Sequence, residues 1–165
     1  LHHSLSPSMD IMVSSNFERL LFDAYGRDGA AIRQLMEEFK SGGMTLSDSA
    51  ISTAREHFDS YRLDDDAMIA VIRNVFENTG YLLDPHTAIG VEAARETRRN
   101  QDVPMVCLAT AHPAKFPEAV CKAGQQEEPA LPHHMADLFD REEQFDVLEN
   151  DIAAVQNFVQ TNVRR

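Results

Sequence analysis

With 165 residues, 43% of them hydrophobic and 25% charged, the chain has the composition of a soluble globular protein with its own core, not of a disordered one. No apolar run approaches the ~20 residues of a membrane helix, and the opening LHHSLSPSMD has neither the basic start nor the apolar stretch of a signal peptide, so a cytoplasmic address is expected. The formal net charge of −12 is concentrated late, with nine acidic side chains between Glu127 and Asp151 against the single Arg141. Such a solvated acidic face repels phosphate backbones and excludes nucleic acid as a partner.

Apolar residues at helical spacing dominate the chain. Phe17, Leu20, Leu21 and Tyr25 predict a first helix that ends at Gly26. Ile32, Leu35, Met36 and Phe39 predict a second, entered at Asp28 and stopped at residues 41–43. Ser47 caps a third, with Ile51, Ala54 and Phe58 facing one way. The run Asp64, Asp65, Asp66 starts a fourth, with Met68, Ile69, Ile72, Val75, Phe76 and Thr79 on one side. Acidic residues suit a helix start, so that run has a capping role before any metal-binding one.

Asp84 and Pro85 open a fifth helix, with Ala88, Val91 and Ala94 inward. Residues 104–110, PMVCLAT, read as a central strand buried on both faces. A short helix over 116–123 follows, then a loop over 124–134 and a second short strand over 145–148. Ile152, Val155, Phe158, Val159 and Val163 form a last amphipathic helix. The fold class is therefore α/β, largely helical, with one central strand and flanking helices. A buried strand that cannot complete its own ladder strands polar backbone groups, which suggests that these residues belong to something larger.

Two cysteines do not make a disulfide framework; Cys107, within the apolar run, is expected to be a buried thiol, and a Cys107–His112 nucleophile lacks a third, orienting group. Asp84 with His86, the pair His2 and His3, and the pair His133 and His134 are each too few for a metal site, so no metal is expected. Chemistry concentrates in residues 108–116, LATAHPAKF, where a hydroxyl (Thr110), an imidazole (His112) and an ammonium (Lys115) follow the end of the expected strand. That is where α/β proteins place ligands, and small Ala109 and Ala111 let a flat ligand approach the backbone. Thr110 and His112 could equally cap the turn that follows. Ser14, Ser15 and Asn16 crowd the entry of the first helix with more polar groups than one cap needs, which leaves a helix-terminus anion site open.

Three motifs carry a family resemblance. PSMDIMVSSNFERLLF at 7–22, DPHTAIG at 84–90 and LATAHPAKF at 108–116 resemble, in order and at similar spacing, segments of the threonine synthases. The resemblance implies the C-terminal part of a fold type II pyridoxal-phosphate (PLP) enzyme's large domain, spanning 1–165, with the N-terminal part of the same enzyme as its missing partner. It implies conversion of O-phosphohomoserine and water to threonine and phosphate, with the PLP ring as electron sink. It assigns Thr110 to the ring nitrogen, and leaves His112 and Lys115 either near the substrate or fixing the loop after the strand; Ser14, Ser15 and Asn16, from their place at a helix start, complete the candidates for binding the substrate. The family's Schiff-base lysine and its Gly-rich phosphate cradle have no counterpart here. Only Lys40, Lys115 and Lys122 are present, none in an expected buried setting. The family usually carries a loop between the segments that meet at residues 6 and 7, which leaves a gap at that join open. Composition and periodicity alone would equally describe a helical binding or regulatory module without catalysis.

Overall fold

Six of the seven α-helices among the described residues begin with a side chain that accepts a hydrogen bond from the helix's first turn. The computed structural model describes residues 3–163; His2, half of one expected histidine pair, lies outside them. The helices are α1 (Ser15–Ala24), α2 (Gly29–Lys40), α3 (Asp48–His57), α4 (Asp65–Thr79), α5 (Pro85–Thr97), α6 (Pro117–Lys122) and α7 (Ile152–Asn162). Ser14, Asp28, Ser47, Asp64, Asp84 and Asp151 supply the caps, each satisfying N–H groups that no intrahelical carbonyl can reach. Asp64 caps α4 as the sequence suggests, while Asp65 turns to accept the N–H of Leu5 on both oxygens, at 3.1 and 3.2 Å.

The chain divides into two compact units, Leu1–Ala130 and Leu131–Arg165. In the first, Met68, Val71 and Ile72 of α4 meet Leu83, Ala88 of α5, and Ala119 and Ala123 around α6. Ala88 and Ala119 are the small residues that let these three helices approach closely. Arg73 ties α4 to the end of α6, its Nε donating to the Ala123 carbonyl at 3.0 Å. A second cluster joins Leu21 of α1 to Ile32 and Leu35 of α2, with Tyr25, Met36, Met44 and Leu46 against it. The Tyr25 hydroxyl accepts the Ser47 N–H at 2.9 Å, which fixes the start of α3. In the second unit, two short 3-10 turns, His133–Met135 and Leu138–Asp140, precede α7, and Arg141 pairs with Asp137.

Three expectations need correction. Residues 104–110 form no strand and are exposed, with Val106 at 79% and Leu108 at 76%. A strand exists only against a partner, and among the described residues no backbone–backbone hydrogen bond reaches this segment. Residues 145–148 likewise form no strand. Cys107 is exposed instead of buried, because the segment carrying it is. The apolar stripe of α7 is amphipathic in pattern but uncovered: Ile152, Val155, Val159 and Val163 are all exposed, as is Phe58 at the end of α3.

The accessible surface is 12991 Å². A single folded body of this mass should expose about 8,200 Å², and two independent bodies of these sizes about 9,500 Å². The excess has the composition of an interface: Val103, Met105, Val106 and Leu108 in the first unit, and Phe139, Phe145 and Val147 in the second, all stand exposed.

Candidate functional site

The start of α5 is the most densely connected polar spot in the first unit. Asp84, His86 and Thr87 are only 2%, 5% and 4% exposed. One Asp84 oxygen, Oδ1, accepts the N–H groups of His86 at 2.9 Å and Thr87 at 3.3 Å, and lies 3.1 Å from His86 Nδ1. The other, Oδ2, accepts the Thr87 hydroxyl. On the far side of the ring, His86 Nε2 accepts the Ser8 N–H at 3.1 Å. A backbone N–H can only donate, so Nε2 holds the lone pair and the ring proton sits on Nδ1, facing the carboxylate. The Phe116 ring packs on the imidazole with centroids 4.6 Å apart. Finally, Thr87 Oγ1 accepts the N–H of Thr110 at 3.1 Å.

The three motifs singled out in the sequence therefore meet here. Ser8 comes from the first, Asp84, His86 and Thr87 from the second, and Thr110 and Phe116 from the third. All the buried polar side-chain atoms among the described residues have partners, so the network is closed and not strained for want of acceptors.

Beside it lies a cavity of about 340 Å³, lined by Asp84, Thr87, Ala109, Ala111, His112 and Pro113 with neighbouring residues of the 81–83 and 129–130 segments. That is within the size range of small-molecule sites. Ala109 and Ala111 line it as the small residues suggest, while Thr110 between them is exposed and is not among the lining residues. The His112 side chain caps the following 3-10 turn, Pro113–Lys115, its Nδ1 accepting the Ala114 N–H at 3.2 Å, so its proton sits on Nε2. The capping role and the place on the cavity wall coexist.

The other candidates stand elsewhere. Ser14 is consumed as the cap of α1, accepting from the Phe17 N–H, and Asn16 Oδ1 accepts from Arg19 at 2.7 Å. Ser15 lines a separate groove between α1 and α2. Lys115 is exposed, its Nζ 5.7 Å from the centroid of the Phe116 ring. Lys40 is exposed at the end of α2. Lys122 is exposed and paired with Glu118 at 2.8 Å, and that hydrogen bond, with the charge attraction behind it, raises its pKa above the ordinary value. Among the described residues no group of three or more histidines, cysteines and acids could hold a metal ion, and no helix is long and apolar enough to cross a membrane.

The sequence drew attention to Asp84 and His86 as a helix start, as a pair too small for a metal site and as part of a family motif, and gave the Thr87 side chain no role of its own. The available signal was three polar residues in the first turn of a helix whose next residue, Ala88, belongs to the core. Polar side chains so placed must find partners inside.

A helical body thus knots three distant motifs on one buried carboxylate, next to a ligand-sized cavity. Comparison with known proteins narrows this. Residues 87–159 match the family model described as threonine synthase, C-terminal. The threonine synthase of Pseudomonas aeruginosa is 58% identical over 166 residues, covering 100% of this chain and 35% of that protein. The threonine synthase of Corynebacterium glutamicum is 36% identical over 162 residues, covering 96% of this chain and 34% of that protein. The crystal structure of a PLP-bound threonine synthase from Brucella melitensis superposes with a TM-score of 0.79 at 49% identity, over 100% of this chain and 35% of that one. Over its whole length the chain is similar to one part of the threonine synthases. It spans about a third of the length of the relatives it matches.

Proposed function

We propose that this chain is part of the PLP-binding large domain of a cytoplasmic enzyme that converts O-phosphohomoserine and water to threonine and phosphate, and that by itself it is inactive. The observation that carries the reading is the meeting of the three family motifs on the Asp84 network beside a cavity of ligand size. The exposed apolar segment 103–108 adds to it, since a surface of that kind calls for further polypeptide of the same protein to cover it. A loop between residues 6 and 7, and the polypeptide bearing the imine-forming lysine, belong to that longer protein in this reading.

The residues present fit one edge of PLP and not its covalent attachment. Ala109 and Ala111 leave room for a flat ring near the backbone, and the Thr110 hydroxyl, on a main chain held by Thr87, is a neutral partner for the ring nitrogen. Covalent attachment needs a lysine whose amine is readily deprotonated, which burial provides. All three lysines here are exposed, and Lys122 is held in its charged form by Glu118. When bound, PLP supplies an electron sink for reactions at the substrate's Cα and Cβ. This chain's part would be to position: Thr110 would offer the ring nitrogen a neutral hydroxyl, and His112 presents its Nε2–H from the cavity wall. Ser14, Ser15 and Asn16, at the start of α1, and Lys115 remain the candidates for contact with the substrate in this reading, although Ser14 and Asn16 already have partners within α1.

The full-length protein carrying these residues, supplied with PLP and O-phosphohomoserine, should release threonine and phosphate in equal amounts, and the 165-residue chain should release neither. A full-length protein that binds no PLP and turns over nothing would leave the helical binding module as the better description. A second expectation concerns the isolated chain. Incubation with PLP, borohydride reduction and peptide mapping should label its three lysines partially and without preference. One fully labelled lysine, Lys115 above all, would show an attachment site within this chain and overturn the assignment of that role to missing polypeptide.

A further inference from the structure

Residues 104–111 are poorly anchored. Among the described residues, the N–H of Thr110, bonded to Thr87 Oγ1 at 3.1 Å, is the one main-chain group of this stretch in a hydrogen bond to a side chain, and no backbone–backbone bond reaches it. The Cys107 thiol lies 3.9 Å from the Gly90 carbonyl, a weak contact at best. The first firm backbone bond comes later, from the Lys115 N–H to the His112 carbonyl at 3.0 Å. Whatever fixes Thr110 fixes where residues 109–111 stand against the cavity.

The Thr87 hydroxyl is itself committed. It donates to Asp84 Oδ2, so its lone pairs are the groups turned toward Thr110. Asp84 cannot rotate away, because its other oxygen holds two backbone N–H groups of the first turn of α5 and faces His86 Nδ1. His86 in turn is pinned by the Ser8 N–H and the Phe116 ring. The direction of donation is thus set along the whole path from Ser8 to Thr110.

We infer that Thr87 is a positioning residue for the proposed reaction: through its hydroxyl, polarised by Asp84, it sets the main chain at Thr110 and so the placement of the Thr110 side chain against the cofactor ring. The inference rests on the reading of Thr110 given above. A buried threonine that merely filled space could be replaced by valine, which has the same shape, with little effect. A threonine that positions by its hydroxyl could not, and serine would serve in its place.

The test uses the full-length protein and compares Thr87→Val with Thr87→Ser, and both with Thr110→Val. In cofactor-free protein, the Thr110 amide of Thr87→Val should exchange with solvent deuterium about tenfold faster, as expected for loss of its acceptor. In the loaded protein kcat should fall by about tenfold while KM stays within about twofold, and the absorption band of the bound cofactor should shift. Thr87→Ser should restore exchange, kcat and spectrum. Faster exchange with unchanged kcat and spectrum would make the bond purely structural and overturn the inference, and unchanged exchange would overturn it directly. A Thr87→Ser protein as impaired as Thr87→Val would point to the methyl group instead of the hydroxyl, with the same result; it also decides the matter if Thr87→Val does not fold. Loss of rate in Thr110→Val beside a normal Thr87→Val removes the positioning role and leaves the reading of Thr110 intact. A Thr110→Val protein with normal rate and spectrum removes that reading and the inference together.

Discussion

Asp84→Ala should lower the stability of the first unit by about 3–5 kcal/mol, read as a shift of its urea midpoint at constant slope. The size follows from what the carboxylate holds. It caps α5 through two N–H groups, accepts the Thr87 hydroxyl and faces His86 Nδ1, all within a site where water cannot take its place. Truncation would orphan several buried donors at once, each costing about 1–3 kcal/mol when left unmet. Asp84→Asn keeps one oxygen for the helix cap, and its amide can turn toward Thr87, so about 1–2 kcal/mol is expected there. If Asp84→Ala cost no more than the ~1 kcal/mol of an ordinary surface cap, the link between the motifs would be incidental to stability.

How far the sequence revealed this arrangement depends on the range of each interaction. Helix starts are local: Asp28, Ser47, Asp64 and Asp84 each sit beside the N–H groups they cap, and each is readable as a cap without any fold. The stop after α4 is equally local, with Gly80 at φ 73, a conformation a side chain would disfavour. The Asp84 network is not local. Ser8 reaches His86 across 78 residues and Thr87 reaches Thr110 across 23, and nothing in the spacing of either motif announces the other. Family motifs marked all three segments as special, yet the bonds that join them are long-range and leave no local pattern.

The failures have one cause. Residues 104–110 and 145–148 carry the apolar patterns of strands, and α7, which forms as expected, carries that of a packed helix face. Pattern reports what a segment is built to pack against, and burial reports what is there. Among the described residues there is no ladder partner for 104–110 and no cover for Val155 or Val159 of α7. The disagreement between pattern and burial is thus itself an observation about the molecule, and it agrees with the surface excess and with relatives about three times as long.

That disagreement predicts opposite effects of one substitution pair in two settings. In the isolated chain, Val106→Asp with Leu108→Asp replaces side chains that are already in water, so the fold of the first unit should lose less than about 0.5 kcal/mol. The double variant should also suppress self-association: by sedimentation or light scattering, the unaltered chain should form concentration-dependent oligomers and the variant should remain monomeric. An unpaired apolar segment is a template for pairing with another copy, and two carboxylates on it repel such a partner. In the full-length protein the same pair should be ruinous. If residues 104–110 complete a buried sheet there, each carboxylate loses its water, and the penalty of several kcal/mol per buried charge exceeds the 5–15 kcal/mol total stability of a domain or comes close to it. The full-length variant should therefore accumulate as insoluble or protease-sensitive material with no cofactor bound. A full-length variant that is soluble, loaded and active would mean that residues 104–110 face solvent in the whole protein too, and the segment's apolar pattern would then need a partner of another kind.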